Sequence, residues 1–258
     1  MPFRSLARRT LAALALLAAP AAARAQFTAT VRYVAPATDA AAFNYAVGPV
    51  NETLTNMYTQ RPGQALGITA FCVDFANGIS NNTTYQANVT SLGAVLEGNA
   101  TLARTRHTGA AGLLGYQKAA FLVDQLLSPS VAALTGSARN QTWGAIQGAI
   151  WSIFTPTAVT LDASTSTTNN RVIEFWQQQA DDFAASSRLA TYDFSRFYII
   201  TDVRAAGLAS GGVQEFMTAS AGLPTVTPEP GTVLLLGVGL AAVGGAAARR
   251  RRRGAVGA

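Results

Sequence analysis

Among 258 residues the chain has one cysteine, Cys72, one histidine, His107, and one lysine, Lys118. A lone cysteine excludes an intrachain disulfide framework, and a single histidine leaves no Cys/His set with zinc-ligand spacing. The lysine shortage fits a genome that favours Arg and Ala codons, and equally a surface kept poor in primary amines. Charge is scarce and unevenly placed. Of 19 basic residues, four precede Gln26 and five follow Ala248, so ten face the thirteen acidic residues between Gln26 and Gly231, for a net charge near −3. The overall excess of positive charge therefore belongs to the two ends, and a nucleic-acid-binding surface is excluded. Long apolar runs are confined to the same two ends.

Each end reads as an address. Arg4, Arg8 and Arg9 form a basic region, Leu11 to Ala19 an apolar one, and Ala23-Arg24-Ala25 a small-x-small cleavage site. Residues 1–25 are thus expected to be a signal peptide handled by the secretion translocon and signal peptidase, with Gln26 the first mature residue. An N-terminal transmembrane helix is the weaker alternative, because Pro20 interrupts a short apolar stretch. At the other end Pro228-Glu229-Pro230 precedes an uncharged run from Thr232 to Ala248, followed by Arg249, Arg250, Arg251, Arg252 and Arg253. The prolines keep the first part extended and accessible. The run is just long enough to cross a thin bilayer as a helix, and the arginines hold their end in the cytoplasm. A plain single-span tail anchor is the bland alternative. The order of strip, span and basic end closely resembles the PEP-CTERM sorting signal of Gram-negative bacteria. The resemblance implies an exosortase acting at Pro228, Glu229 and Pro230. It also implies a transient inner-membrane anchor, then delivery to the cell surface or extracellular matrix.

Between the ends, Phe27 to Val34 alternates as a strand. Residues 35–65 read as loop, with a short strand or helix near Phe43 to Val47. Leu66 to Phe75 and Thr84 to Leu92 read as strands, with turn signals at Asn77-Gly78 and Asn81-Asn82. Helices are expected over Leu113 to Leu127, Asn140 to Phe154 and Arg171 to Ser187, the last with Val172, Phe175, Trp176, Gln179 and Phe183 on one face. Strands return at Phe194 to Ala205 and Gly212 to Ala219. The order predicts an α+β fold, a β-rich sheet or barrel with an inserted helical subdomain, over residues 26–221. Residues 222–227 would be a linker and 228–253 the sorting signal with a C-terminal transmembrane helix.

In the second helix Trp143, Ile146, Gln147, Ile150, Trp151 and Phe154 fall on one stripe. A buried primary amide there needs partners or costs about 1–3 kcal/mol. Phe71-Cys72-Val73-Asp74 and Gln147-Gly148-Ala149-Ile150-Trp151 resemble the cysteine and glutamine elements of bacterial thioester domains, best known from surface adhesins. The resemblance implies that Cys72 and Gln147 condense with loss of ammonia into an internal thioester, while Phe71, Ile150 and Trp151 pack the motif. An amine or hydroxyl on a partner surface could then attack the Gln147 carbonyl and be left covalently attached. No cofactor, metal or enzymatic turnover is expected.

The rival expectation is a non-catalytic surface or biofilm-matrix protein that binds extracellular polysaccharide. Its basis is the Thr-, Asn- and Ser-rich composition. Weaker candidates are a Cys72/His107 hydrolase pair and an Asp181-Asp182 metal site, better read as the solvated face of the third helix. Asp74 would share a strand side with Cys72, although a strand-end carboxylate is the simpler reading. Asn82-Thr83-Thr84 fits a glycosylation sequon and reads more simply as a turn.

Overall fold

Alternation decides the first strand. Phe27, Ala29, Val31 and Tyr33 are buried while Thr28, Arg32 and Val34 are exposed, the period-two pattern of a strand with one wet face. The computed structural model describes residues 26–36, 41–42, 45–46, 49–55, 65–156, 167–208, 210–219 and 223. In chain order the elements are β1 (Gln26–Pro36), a small pair β2 (Ala41–Ala42) and β3 (Tyr45–Ala46), β4 (Val50–Thr55), β5 (Ala65–Cys72) and β6 (Thr84–Ser91). The helical part follows as α1 (Leu92–Leu96), a 3-10 turn at Leu102–Arg104, α2 (Gly109–Leu126), α3 (Pro129–Ala132), α4 (Gly136–Phe154), α5 (Thr167–Ala185) and α6 (Arg188–Thr191). The chain then returns through β7 (Phe197–Asp202) and β8 (Phe216–Ala219).

Six strands close a barrel in the order β1-β4-β5-β8-β7-β6, with β6 returning to β1 and every pairing antiparallel. Closure removes the unpaired edges an open sheet would offer to other chains. The α+β class expected from the sequence is the one found, and among the described residues all the helices are inserted between β6 and β7. Residues Ala25–Thr225 make up one compact unit.

The molecule has two cores separated by the barrel wall. Inside lie Val31, Tyr33, Leu54, Ala70, Cys72, Tyr85, Val89, Tyr198, Ile200 and Phe216. Outside, α2, α4 and α5 pack on Phe71, Val73, Phe197, Ile199 and Met217. This arrangement explains why β7 is buried at all six positions: helices cover one face and the barrel interior the other, so alternation vanishes. It also explains β5, whose first residues alternate and whose last three are all buried.

Three expectations are corrected. Residues 50–55 form β4 and not loop; its Val-Asn-Glu-Thr-Leu-Thr sequence hides a strand because Glu52, a charged residue, points inward with Leu54 and is buried. The inner face of α5 is Ile173, Ala180 and Phe183, with Trp176 half-buried, while Val172 and Phe175 are exposed. Finally, α4 has no single buried stripe. Every residue from Gly144 to Trp151 is buried, because α2, α5 and the barrel surround it. Small residues on its other sides permit that crowding: a methyl group added at Gly148 would meet Ile173 Cδ1 at 2.8 Å. Among the described residues no helix is long and apolar enough to cross a membrane. The expected signal peptide at 1–25, the span at 232–248 and the sorting residues Pro228 to Pro230 and Arg249 to Arg253 lie outside the described residues.

Candidate functional site

Strand register decides which way Cys72 points. As the last residue of β5, Cys72 pairs with Phe216 of β8, while its neighbour Phe71 pairs with Met217. Adjacent strand residues face opposite sides, so Phe71 anchors the helical core and Cys72 joins the barrel core. Helix α4 crosses near this strand end and contributes to both cores: Ile150 packs among the helices and Trp151 among the barrel residues.

The geometry brings the two predicted elements together across 75 residues of chain. Gln147 Nε2 donates to the Cys72 carbonyl at 2.5 Å. One helical turn on, Trp151 Nε1 donates to Cys72 Sγ at 3.2 Å. The thiol itself donates to the Asp74 carbonyl at 3.0 Å, an oxygen that also accepts from Gln214 Nε2 at 2.8 Å. Gln147 is 1% exposed and Cys72 7%. Burial pushes the Cys72 thiol far above its ordinary range, against the smaller opposing pull of the Trp151 and Asp74 hydrogen bonds. It is therefore a neutral thiol at physiological pH. Gln147 Oε1 is buried and has no hydrogen-bond partner among the described residues. An orphaned buried amide oxygen is costly, which sets this glutamine apart from an ordinary satisfied core residue. Half-buried Phe75 packs beside the site, its ring 4.9 Å from that of Trp151.

A second buried layer holds this site in place. The Arg106 side chain is fully buried; its Nε lies 3.1 Å from Asp74 Oδ2, and its terminal nitrogens donate to the carbonyls of Leu208, Gly211 and Val213. Fully buried Glu215 accepts from Arg106 N at 2.9 Å, from Tyr116 OH at 2.8 Å and from Thr201 Oγ1 at 2.5 Å. Burial raises its pKa, opposed by those donors and the Arg106 charge. Val73 N donates to the Glu215 carbonyl, so the strand end carrying Cys72 is clamped to β8 and its preceding loop. Sequence reasoning missed Arg106, Glu215 and Tyr116. Each is a lone polar residue in an ordinary context, and only their tertiary convergence marks them.

The weaker candidates resolve separately. The Asp74 carboxylate caps its own turn, accepting from Ala76 N at 2.9 Å and Asn77 Nδ2 at 2.6 Å, and pairs with Arg106; the group facing the sulfur is its backbone carbonyl. His107 stacks on Phe154 with ring centroids 4.4 Å apart, and burial lowers its pKa. Among the described residues the Cys72 sulfur bonds to the Asp74 carbonyl and the Trp151 indole, and His107 Nε2 has no partner, so the hydrolase pair is not assembled. Asp181 binds Lys118 Nζ at 2.6 Å and Asp182 accepts from Gln178, both exposed. No group of three metal-ligating side chains occurs among the described residues. Asn82 is an exposed turn residue at φ 63° that accepts from Arg32.

A cleft of about 590 Å³ lies between α1, α2, α6 and the entry to β7. Glu97, Gln117, Ser186, Asp193 and Ser195 line it with Leu189 and Tyr192, and among the described residues no basic side chain takes part.

Searches of curated proteins and of solved structures gave no match to this chain. Among protein-family models, the PEP-CTERM protein-sorting motif matches residues 226–253. The matched stretch lies outside the Cys72 and Gln147 elements. It carries the sorting address alone, and that address implies an exported protein, anchored in the membrane during sorting and processed by exosortase.

Proposed function

We propose that residues 26–221 form a surface module of thioester-domain type, in which Cys72 and Gln147 condense into an internal thioester that attaches the protein covalently to a partner. One observation carries this reading. Two residues 75 positions apart meet in a buried pocket, and the amide nitrogen that would leave as ammonia already reaches back to the cysteine backbone. In closure the thiol sulfur bonds to Gln147 Cδ, the C–N bond breaks, and the thiol proton departs with ammonia. An incoming primary amine or hydroxyl then takes the acyl group, and its proton returns to the sulfur. The pocket excludes water, which slows hydrolysis of the activated acyl group. The acyl group is consumed once, so the module is not a turning-over enzyme and needs no cofactor.

Intact mass spectrometry of the purified exported unit tests this. The expected mass is lower than that of the encoded sequence by one ammonia, with Cys72 inert to alkylation in the native state. Methylamine restores the missing mass with its methyl group attached, and Cys72→Ala abolishes both changes. A full unmodified mass with a native-state alkylated Cys72 refutes the proposal.

The cleft favours a second reading, non-catalytic adhesion to extracellular polysaccharide. Its carboxylates, amide and hydroxyls beside the Tyr192 ring, without a basic group, suit a neutral sugar. A Cys72→Ala strain that retains its biofilm would favour this reading over covalent attachment.

A further inference from the structure

We propose that Trp151 is a catalytic residue of the thioester reaction and not only a packing residue: its indole N–H stabilises the charge on Cys72 sulfur as the Cδ–Sγ bond forms or breaks. This inference rests on the thioester reading above.

The argument begins with the leaving group. When an amine attacks Gln147 Cδ, the C–S bond breaks and its electron pair goes to sulfur. The proton lost by the amine nitrogen must reach that sulfur to complete the exchange. Until it does, the sulfur is a thiolate in a pocket built of Trp151, Phe75 and the barrel interior. Such a pocket disfavours the anion, as the raised thiol pKa shows. The hydrogen-bonding neighbours of the sulfur are unequal. The Asp74 carbonyl can only accept, so it repels an anion until the proton arrives. Trp151 Nε1 can only donate, and it sits 3.2 Å from Sγ, within the range for a hydrogen bond to sulfur. It is the one recorded donor to that atom among the described residues. A fixed donor aimed at developing charge in a water-poor site lowers the barrier, because it needs no reorganisation at the moment of reaction. The N–H keeps its proton throughout.

Position supports the assignment. Trp151 lies four residues after Gln147 on α4, so the acyl donor and the N–H share one helix face and approach Cys72 together. Helical register thus couples the electrophile to the group that assists its departure. The same contact helps ring closure, where the attacking sulfur sheds its proton to ammonia.

The test replaces Trp151 in the full exported unit by its sulfur isostere, 3-benzothienylalanine, which keeps the ring shape and removes the donor. Trp151→Phe serves as the encoded counterpart. The probe is methylamine, and the readout is the rate of mass gain. With native protein and isostere both lacking one ammonia, the isostere is expected to capture methylamine at least about tenfold more slowly, the scale of one hydrogen bond to a charged group. An isostere that melts like the native protein but never loses ammonia also supports the proposal, since closure passes through the same charge. Capture at the native rate overturns it. Ring-fluorinated tryptophans at 151, whose N–H is more acidic, separate chemistry from packing: the rate should rise with acidity, and a flat series overturns the proposal even if the isostere destabilises the fold. Should the native protein itself carry its full mass, the thioester reading fails, and this inference with it. An intact thioester insensitive to position 151 sinks this inference alone.

Discussion

Opening the proposed thioester with methylamine should loosen the whole fold, by an amount the topology sets. The bond would link β5 to α4 across 75 residues. A cross-link closing a loop of that size removes unfolded-state entropy worth about 4.5 kcal/mol at 25 °C in the chain-entropy treatment. Methylamine cuts the link while leaving Cys72 a thiol and Gln147 an N-methyl amide, which can still donate to the Cys72 carbonyl. The added methyl enters a filled pocket and costs about 1 kcal/mol or more in the same direction. For a domain of this size each kcal/mol moves the melting temperature by about 2–4 °C, so treated protein should melt about 10–20 °C lower. Calorimetry at a fast scan rate, with the mass checked after melting to show that the bond survived in the untreated sample, gives the comparison. A methylamine adduct that melts where the native protein does refutes the reasoning, because the pair would then not tie the two elements together.

Three further outcomes follow from the buried groups. Arg106→Met strips Asp74 of its fully buried partner and leaves three carbonyls without their donor; urea titration should show a loss of about 3–5 kcal/mol, with Asp74→Asn in the same molecule costing less than the sum of the two changes. Glu52 is fully buried with one oxygen unpartnered among the described residues, and burial lifts its pKa to about 8, a rise only partly opposed by the Tyr85 hydrogen bond. A folded-state value above the unfolded one means that its stabilising contribution is complete below about pH 4.5 and is lost as pH rises through 8. Stability should fall across that window by up to about 1.4 kcal/mol per unit, and Glu52→Gln should flatten the fall. A Cβ at Gly93 would lie 2.7 Å from the Ser195 backbone, whereas one at Gly148 meets the Ile173 side chain, nearest at its flexible Cδ1 end. Gly93→Ala should therefore cost more than Gly148→Ala in thermal melts, with roughly 1–3 kcal/mol expected for Gly93→Ala.

The sequence exposes what depends on periodicity and hides what depends on company. Phe27 to Val34 alternates visibly because β1 has water on one face. Cys72 and Gln147 could be connected only through a family resemblance, carried by Phe71 beside the one and by Ile150 and Trp151 beside the other; no periodicity links them. β4 stayed hidden because Glu52 shares its inward face with Leu54, and a carboxyl inside a barrel contradicts the apolar-in pattern. The face of α5 was misjudged for a different reason. Its aromatic residues drew the stripe toward Phe175, yet the contact with α4 is made by Ile173, beside the glycine at 148. Arg106 and Glu215 carry no local pattern at all; they are 109 positions apart and join through one backbone N–H.

The last strand among the described residues is the one that seats the sulfur. Cys72 pairs with Phe216, and Val73 hands its N–H to Glu215, so the pocket is incomplete until residues beyond 215 have arrived. A chain threaded outward from its N-terminus would carry a harmless thiol and a harmless amide through the translocon. The proposed reactivity would switch on only after the residues beyond 215 had reached the far side as well.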